Sequence, residues 1–380
     1  MCIMRLKDAI NKKNRLYIYI NMEYPIYNKT LSYDDKFVKY WLLGLLLLLL
    51  LMILIGGLTR LTDSGLSITN WQPIIGAIPP LTKNDWVLVF EQYKLTNEFK
   101  IQNFNMSLND FKIIYWWEWG HRQFGRLIGL FWFLGLSYLL IKTRLPSFLK
   151  VSFFILGFLG LVQAFIGWWM VKSGLNNEKN LLDVASYRLA IHLNLALVIT
   201  SFIFLLLKIN YFFSYIGSMS ISFGQFSFEK FKVSLFILFL FLQITLGALV
   251  SGIDAGKSYN EWPLMDNNFV PEDYLSLEPG YLNFIENPAT VQFNHRIMGY
   301  VLFLFGLYIW IKGRFKINQF NKLKKDYNTL LLFLIIQVLV GIFAVVKSVP
   351  ISLGVIHQLC AVLLLLSAIN LRFNLFLSQK

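Results

Sequence analysis

The chain has 380 residues, 56% of them hydrophobic and only 15% charged, with 35 Phe and 11 Trp. A soluble domain carries about 25% charged residues and could not hide this much apolar surface. The composition excludes a soluble enzyme, a disordered chain and a fibrous repeat, and it points to a polytopic membrane protein. The net charge of +14 is not read as a nucleic-acid signal, because the excess sits in loops on one side. Cys2 and Cys360 lie in the tail and inside an apolar run, so no disulfide framework is expected.

Crossing the hydrocarbon takes about 20 apolar residues. Eight stretches qualify: 37–57, 120–142, 150–171, 187–208, 232–252, 292–312, 328–347 and 352–373. The first lacks a small-residue cleavage site and reads as a retained helix. The predicted fold is all-α, with eight transmembrane helices in two pseudo-twofold-related four-helix bundles. Residues 1–36 form a tail, 37–208 the first half with a long outer loop at 58–115, and 209–231 a linker. Residues 232–373 form the second half and 374–380 the end. With the N-terminus inside, the inner segments hold 22 Lys+Arg and 6 Asp+Glu, a net +16. The outer segments hold 13 and 15, a net −2. The positive side faces the cytoplasm, which places both termini there.

The long outer loop carries two capping boxes. Thr82-Lys83-Asn84-Asp85 should open a short helix with Trp86, Val89, Phe90 and Tyr93 on one face, lying on the outer membrane surface. Ser107-Leu108-Asn109-Asp110 leads into the second span, where Trp116, Trp117 and Trp119 fit an interfacial belt.

The two halves repeat. Gly56-Gly57-Leu58 through Asp63-Ser64-Gly65 to Trp71 matches Gly247-Ala248-Leu249 through Asp254-Ala255-Gly256 to Trp262. His121-Arg122 matches His295-Arg296, Gln163 and Gly167 match Gln337 and Gly341, and His192 matches His357. Corresponding spans run in the same direction, so the repeat axis lies along the membrane normal. A transporter would need broken helices or midplane charges, and the sequence has neither.

The chain has four histidines, and all lie near the outer start of an even-numbered span. Facing imidazoles in a four-helix bundle suit axial ligation of haem iron. Zinc would want further ligands that neither half supplies. Pairing within each half gives His121 with His192 and His295 with His357, and cross-half pairing stays open. The halves differ around these residues. Glu118 lies one turn from His121 and is matched by Gln292. Arg60, Arg122, Arg126 and Arg188 are matched by Ser251, Arg296, Tyr300 and Leu353. Arg60, Arg122, Arg126, Arg188 and Arg296 are candidate contacts for haem propionates. A relay of electrons through two haems would not require Glu118 or the arginine asymmetry.

The run from Gly56 to Ser67, followed by Trp71, Pro73, Pro79 and Pro80, resembles the first outer-loop motif of the haem A synthase family. So do Trp116-Trp117-Glu118-Trp119-Gly120-His121-Arg122, the run from Gly167 to Leu175, and His357-Gln358. The resemblance covers about 37–373 and is to the proteobacterial and mitochondrial branch, which lacks paired loop cysteines. It implies an oxidoreductase that turns the ring carbon-8 methyl of haem O into the formyl of haem A. Two hydroxylations, by way of haem I, and a dehydration accomplish this. It implies that His121 and His192 hold the substrate haem, that His295 and His357 hold a permanent haem b, and that Glu118 is catalytic. The implied partners are haem O, a haem O synthase that supplies it and an electron donor. A homo-oligomer is left open. The alternative is a di-haem cytochrome that relays electrons from quinol. The expected location is a bacterial inner membrane in preference to a mitochondrial one, with the haem sites towards the periplasm. A cysteine placed at Lys83 should react with a membrane-impermeant thiol reagent in intact cells, and one at Lys322 should not. The reverse labelling would invert this orientation.

Overall fold

The structure is a computed structural model that describes residues 6–9, 17–20, 35–175, 182–216, 227–316 and 321–377. A short antiparallel hairpin pairs β1 (Leu6–Ala9) with β2 (Tyr17–Ile20), a feature the sequence did not announce. Ten α-helices follow among the described residues. They are α1 (Asp35–Leu61), α2 (Lys83–Tyr93), α3 (Asn97–Ile101), α4 (Leu108–Lys142) and α5 (Ser147–Gly174). The remainder are α6 (Ser186–Ile216), α7 (Ser227–Gly252), α8 (Pro288–Lys316), α9 (Asn321–Val346) and α10 (Ile351–Leu377). Eight of them, all but α2 and α3, are long and apolar enough to cross a membrane, in agreement with the eight spans.

Helix adjacency obeys the repeat. In the first half α1 packs on α4, α4 on α5 and α5 on α6, while α7 on α8, α8 on α9 and α9 on α10 repeat the pattern. Between halves α1 meets α10 and α6 meets α7, the exchange a twofold requires. The amide of Gln358 crosses that boundary and donates to the Ile53 carbonyl at 2.9 Å. A Cβ on Gly57 would overlap this amide, so glycine is what lets α1 and α10 approach. Asn194 on α6 bonds Thr245 on α7 at 3.0 Å.

Each half is filled at one end and open at the other. Val38, Leu42, Leu139, Leu149, Phe153 and Leu206 belong to a buried core at the end of the first half away from the long loops. Val233, Phe236, Ile309, Leu330 and Leu371 do the same in the second. All four histidines lie towards the opposite end, so the apolar cores fix the helices and leave the outer ends to hold a site.

Both capping boxes form. Thr82 accepts from the Asp85 N–H at 3.2 Å, and Asp85 accepts from the Thr82 N–H at 2.9 Å. Ser107 and Asp110 do the same at 3.3 and 3.1 Å. The second box starts α4 at Leu108, twelve residues before the span expected at 120. The extension gives α2 a partner. Trp86, Phe90 and Tyr93 are buried against Phe111, Ile114 and Tyr115 of α4. The apolar face of α2 therefore covers protein, where the sequence reading had laid it on the membrane.

Candidate functional site

Each histidine lies against a glycine of the neighbouring helix. A Cβ built on Gly56 of α1 would sit 3.1 Å from His121 Cε1. The corresponding distances are 2.9 Å for Gly167 and His192, 3.0 Å for Gly247 and His295, and 2.7 Å for Gly341 and His357. The approaches at Gly167 and Gly341 are closer than real Cβ atoms come, and those at Gly56 and Gly247 would force the imidazole to give by a few tenths of an ångström. Four glycines therefore create four slots, each admitting one imidazole edge, on the helix pairs α1–α4, α5–α6, α7–α8 and α9–α10.

The slots open into one cavity of about 1410 Å³, lined by all four histidines and largely by apolar side chains. It exceeds the ~300–1,000 Å³ typical of a single small-molecule pocket, as a chamber for two macrocycles would. In the second half the His295 and His357 ring centroids are 6.4 Å apart, with planes at 75°. Metal–imidazole bonds are about 2.0 Å long, so two rings gripping one iron from opposite faces need centroids roughly 6 Å apart. The pair fits a haem iron. Among the described residues no group of three or more His, Cys, Asp or Glu could hold a bare metal ion.

Glu118 is 3% exposed and lines the same cavity. Its Oε1 pairs with Arg122 at 2.5 Å. Its Oε2 accepts from Ser67 Oγ and the Ile68 N–H, both at 2.7 Å. The carboxylate thus pins the first turn of the outer loop onto α4. At the matching place in the second half, Gln292 Nε2 donates to the Tyr259 carbonyl at 3.0 Å, and Arg296 donates to it at 2.8 Å. Both halves fasten the loop here, but only the first does so with a carboxylate.

A family model described as "Cytochrome oxidase assembly protein", COX15-CtaA, matches residues 39–369. A heme A synthase of Roseobacter denitrificans is 44% identical over 351 residues, covering 91% of this chain and 90% of that protein. A heme A synthase of Ruegeria sp. is 43% identical, covering 88% and 87%. That of Paracoccus denitrificans is 40% identical, covering 86% and 84%. The chain belongs to the haem A synthase family.

The arginines of this haem A synthase family member are mostly engaged by the protein itself. Arg60 holds Asp63 at 2.7 Å, Asp254 at 3.3 Å and Asp183 at 3.4 Å. Asp63 and Asp254 are repeat mates, and both take the left-handed backbone, with φ of 48° and 53°. Arg60 therefore clamps the outer ends of the two halves together. Arg188 donates to the Trp169 carbonyl at 2.6 Å, lies over that indole and is not among the residues lining the cavity. Arg122 spends a nitrogen on Glu118 and the Ile68 carbonyl, and Arg296 binds the Leu264 and Tyr259 carbonyls. Arg126 binds the carbonyls of Pro73 and Gln72, yet its Nη1 is buried without a partner. Of the five propionate candidates, Arg122 and Arg126 line the cavity with an Nη1 not used in these bonds, and that of Arg126 is buried without a partner.

The sequence reading missed two features. Glu98 is 3% exposed, lines the cavity, and accepts from Tyr93 Oη at 3.1 Å while its Oε2 has no partner. Burial is the main cause that pushes its carboxyl up to about 8, with Asp183, Glu118 and Asp63 adding to the effect. The second is a glutamine four residues before three of the four slot glycines, at Gln163, Gln243 and Gln337. The Gln-x-x-x-Gly spacing was the signal that could have shown it.

Alanine is a better helix former than glycine by about 1 kcal/mol, so Gly341→Ala should favour α9 while closing the slot for His357. The variant should insert normally and bind markedly less haem in the second half, as read from the pigment content of purified protein. Full haem content would show that the slot is not needed.

Proposed function

We propose that this chain converts haem O to haem A. The supporting observation is the mismatch of Glu118 with Gln292 inside an otherwise repeated frame. Two electron-carrying halves have no need of it. A substrate half and a cofactor half do. In this reading His121 and His192 hold haem O, and His295 and His357 hold haem b, which supplies a one-electron relay. The names of the relatives, each a heme A synthase, support the substrate and product.

The reaction oxidises a methyl carbon by two electrons twice. The first hydroxylation gives the primary alcohol of haem I, and the second gives a geminal diol. The diol loses water to leave the formyl group. This chain's residues position the ring and handle protons. The paired histidines fix the macrocycle against the α1–α4 and α5–α6 slots, and the apolar walls exclude bulk water. Glu118, held by Arg122, Ser67 and Ile68, takes the proton from one diol hydroxyl and returns it to the other, which departs as water. Arg126 Nη1 receives a propionate, whereas Arg60 acts as a clamp between halves. A haem O synthase supplies the substrate, and an oxidant outside this chain takes up the two electrons of each hydroxylation, which haem b, held by His295 and His357, would relay. The relatives are bacterial, which favours the bacterial inner membrane, with both termini cytoplasmic and the cavity towards the periplasm.

Glu118→Gln tests this. An amide already serves at the matching position, so the variant should fold and keep haem b. Loss of a general acid or base costs about 10²–10⁴-fold in rate. Cells relying on the variant should accumulate haem O or the hydroxylated intermediate, measured by pigment extraction. Near-normal haem A would return Glu118 to a purely loop-fastening role, and two equivalents of haem b alone in the wild-type protein would favour the electron relay.

A further inference from the structure

The four histidine slots are not equally equipped. Gln163 Nε2 lies 3.3 Å from both ring nitrogens of His192 and donates to the His192 carbonyl at 3.1 Å. Gln243 lies 3.1 and 3.4 Å from the ring nitrogens of His295 and donates to its carbonyl at 3.0 Å. Gln337 lies 3.3 and 3.2 Å from those of His357. It is the Nε2 of each amide that faces the ring, and the Oε1 of all three is buried and unpartnered, so turning the amide over would present an acceptor to an imidazole N–H, at the cost of the carbonyl bond at His192 and His295. The glutamine stands one turn before the slot glycine each time, on α5, α7 and α9.

The fourth slot breaks the pattern. Met52 stands four residues before Gly56, at the repeat position of Gln243. Its Cε lies 3.5 Å from where a Cβ on Gly125 would be, just as Gln243 Nε2 lies 3.5 Å from that of Gly299. The two side chains occupy the same place. A thioether is at most a weak acceptor and donates nothing. His121 Nδ1 is buried and has no partner. A glutamine is tolerated at the three equivalent places, so the membrane environment does not by itself demand methionine here.

We propose that Met52 makes His121 the labile axial ligand of this protein, so that exchange of the first-half haem starts with breaking the bond to His121 and ends with breaking the bond to His192. This rests on the assignment of His121 and His192 as the ligands of the substrate haem. The physical ground is that a partner on the far ring nitrogen orients a ligating imidazole and raises its basicity. Loss of that partner typically costs about 10–100-fold in metal affinity. A site for a substrate and its product has to release both, and a permanent cofactor site does not. Three of the four histidines carry the retaining amide. The one without it belongs to the half that holds Glu118. Within that half His192 is held by Gln163, so the bond on the α1–α4 face opens first and the bond to His192 breaks as the haem leaves. Met52 is thus a positioning residue acting through His121.

The test measures haem loss from purified full-length protein to a haem-free globin, with haem O or A and haem b told apart by extraction. Met52→Gln should slow loss of the first-half haem about 10–100-fold and leave haem b unchanged. Met52→Leu, which restores no amide, should keep the wild-type rate. The reciprocal Gln243→Met should speed loss of haem b by a similar factor, and it stands as a test even where Met52→Gln inserts poorly. Wild-type rates in Met52→Gln or in Gln243→Met overturn the proposal. His121→Ala separates the two levels. If its first-half haem loses the six-coordinate low-spin spectrum while Met52→Gln has no effect on the rate, Met52 alone is misassigned. If the spectrum of His121→Ala is unchanged, the ligand assignment falls and the proposal falls with it.

Discussion

The structure depends on one contact made four times: an imidazole edge laid against a backbone that has no Cβ. Gly56, Gly167, Gly247 and Gly341 bring each histidine-bearing helix within reach of its neighbour. Glycine in a helix costs roughly 0.5–1 kcal/mol relative to alanine, and the apolar cores at the far end of each half offset that cost. Packing is thereby divided along the helix axis. One end is filled, and the other is kept open for a cavity that all four rings share.

Repetition and its violations carry different information. The repeat explains the slots, the paired αL aspartates and the loop fastening by Arg122 and Arg296. The violations lie in the first half. Glu118 replaces an amide, Met52 replaces an amide, and Arg60 faces three carboxylates where its mate is Ser251. A duplicated frame needs none of these for stability, since the second half stands without them. Under the proposed function they mark the half in which haem O is bound, changed and released.

Much of this was legible in the sequence because hydropathy and repeat spacing are local signals. Eight spans, both capping boxes and the common register of four histidines follow from such patterns. The capping box at Ser107 marked the start of α4, but the packing of Phe111 to Tyr115 on α2 was not legible, because that partner is distant along the chain. The arginines were harder still. A guanidinium near a haem-sized cavity suggests propionates, but the carbonyls of Gln72, Pro73, Tyr259 and Leu264 claim most of the donors, and only a folded loop presents those carbonyls. Glu98 carried no signal at all, since its burial is created by Tyr93 and by the packing of α2 on α4.

The central claim is that each half grips its own haem between its own two histidines. Electron paramagnetic resonance of the oxidised, haem-loaded protein measures this directly. The account expects two low-spin bis-imidazole signals per chain, with His121→Ala and His192→Ala removing the same one and His295→Ala and His357→Ala removing the other. Loss of one and the same signal in a variant from each half would contradict it.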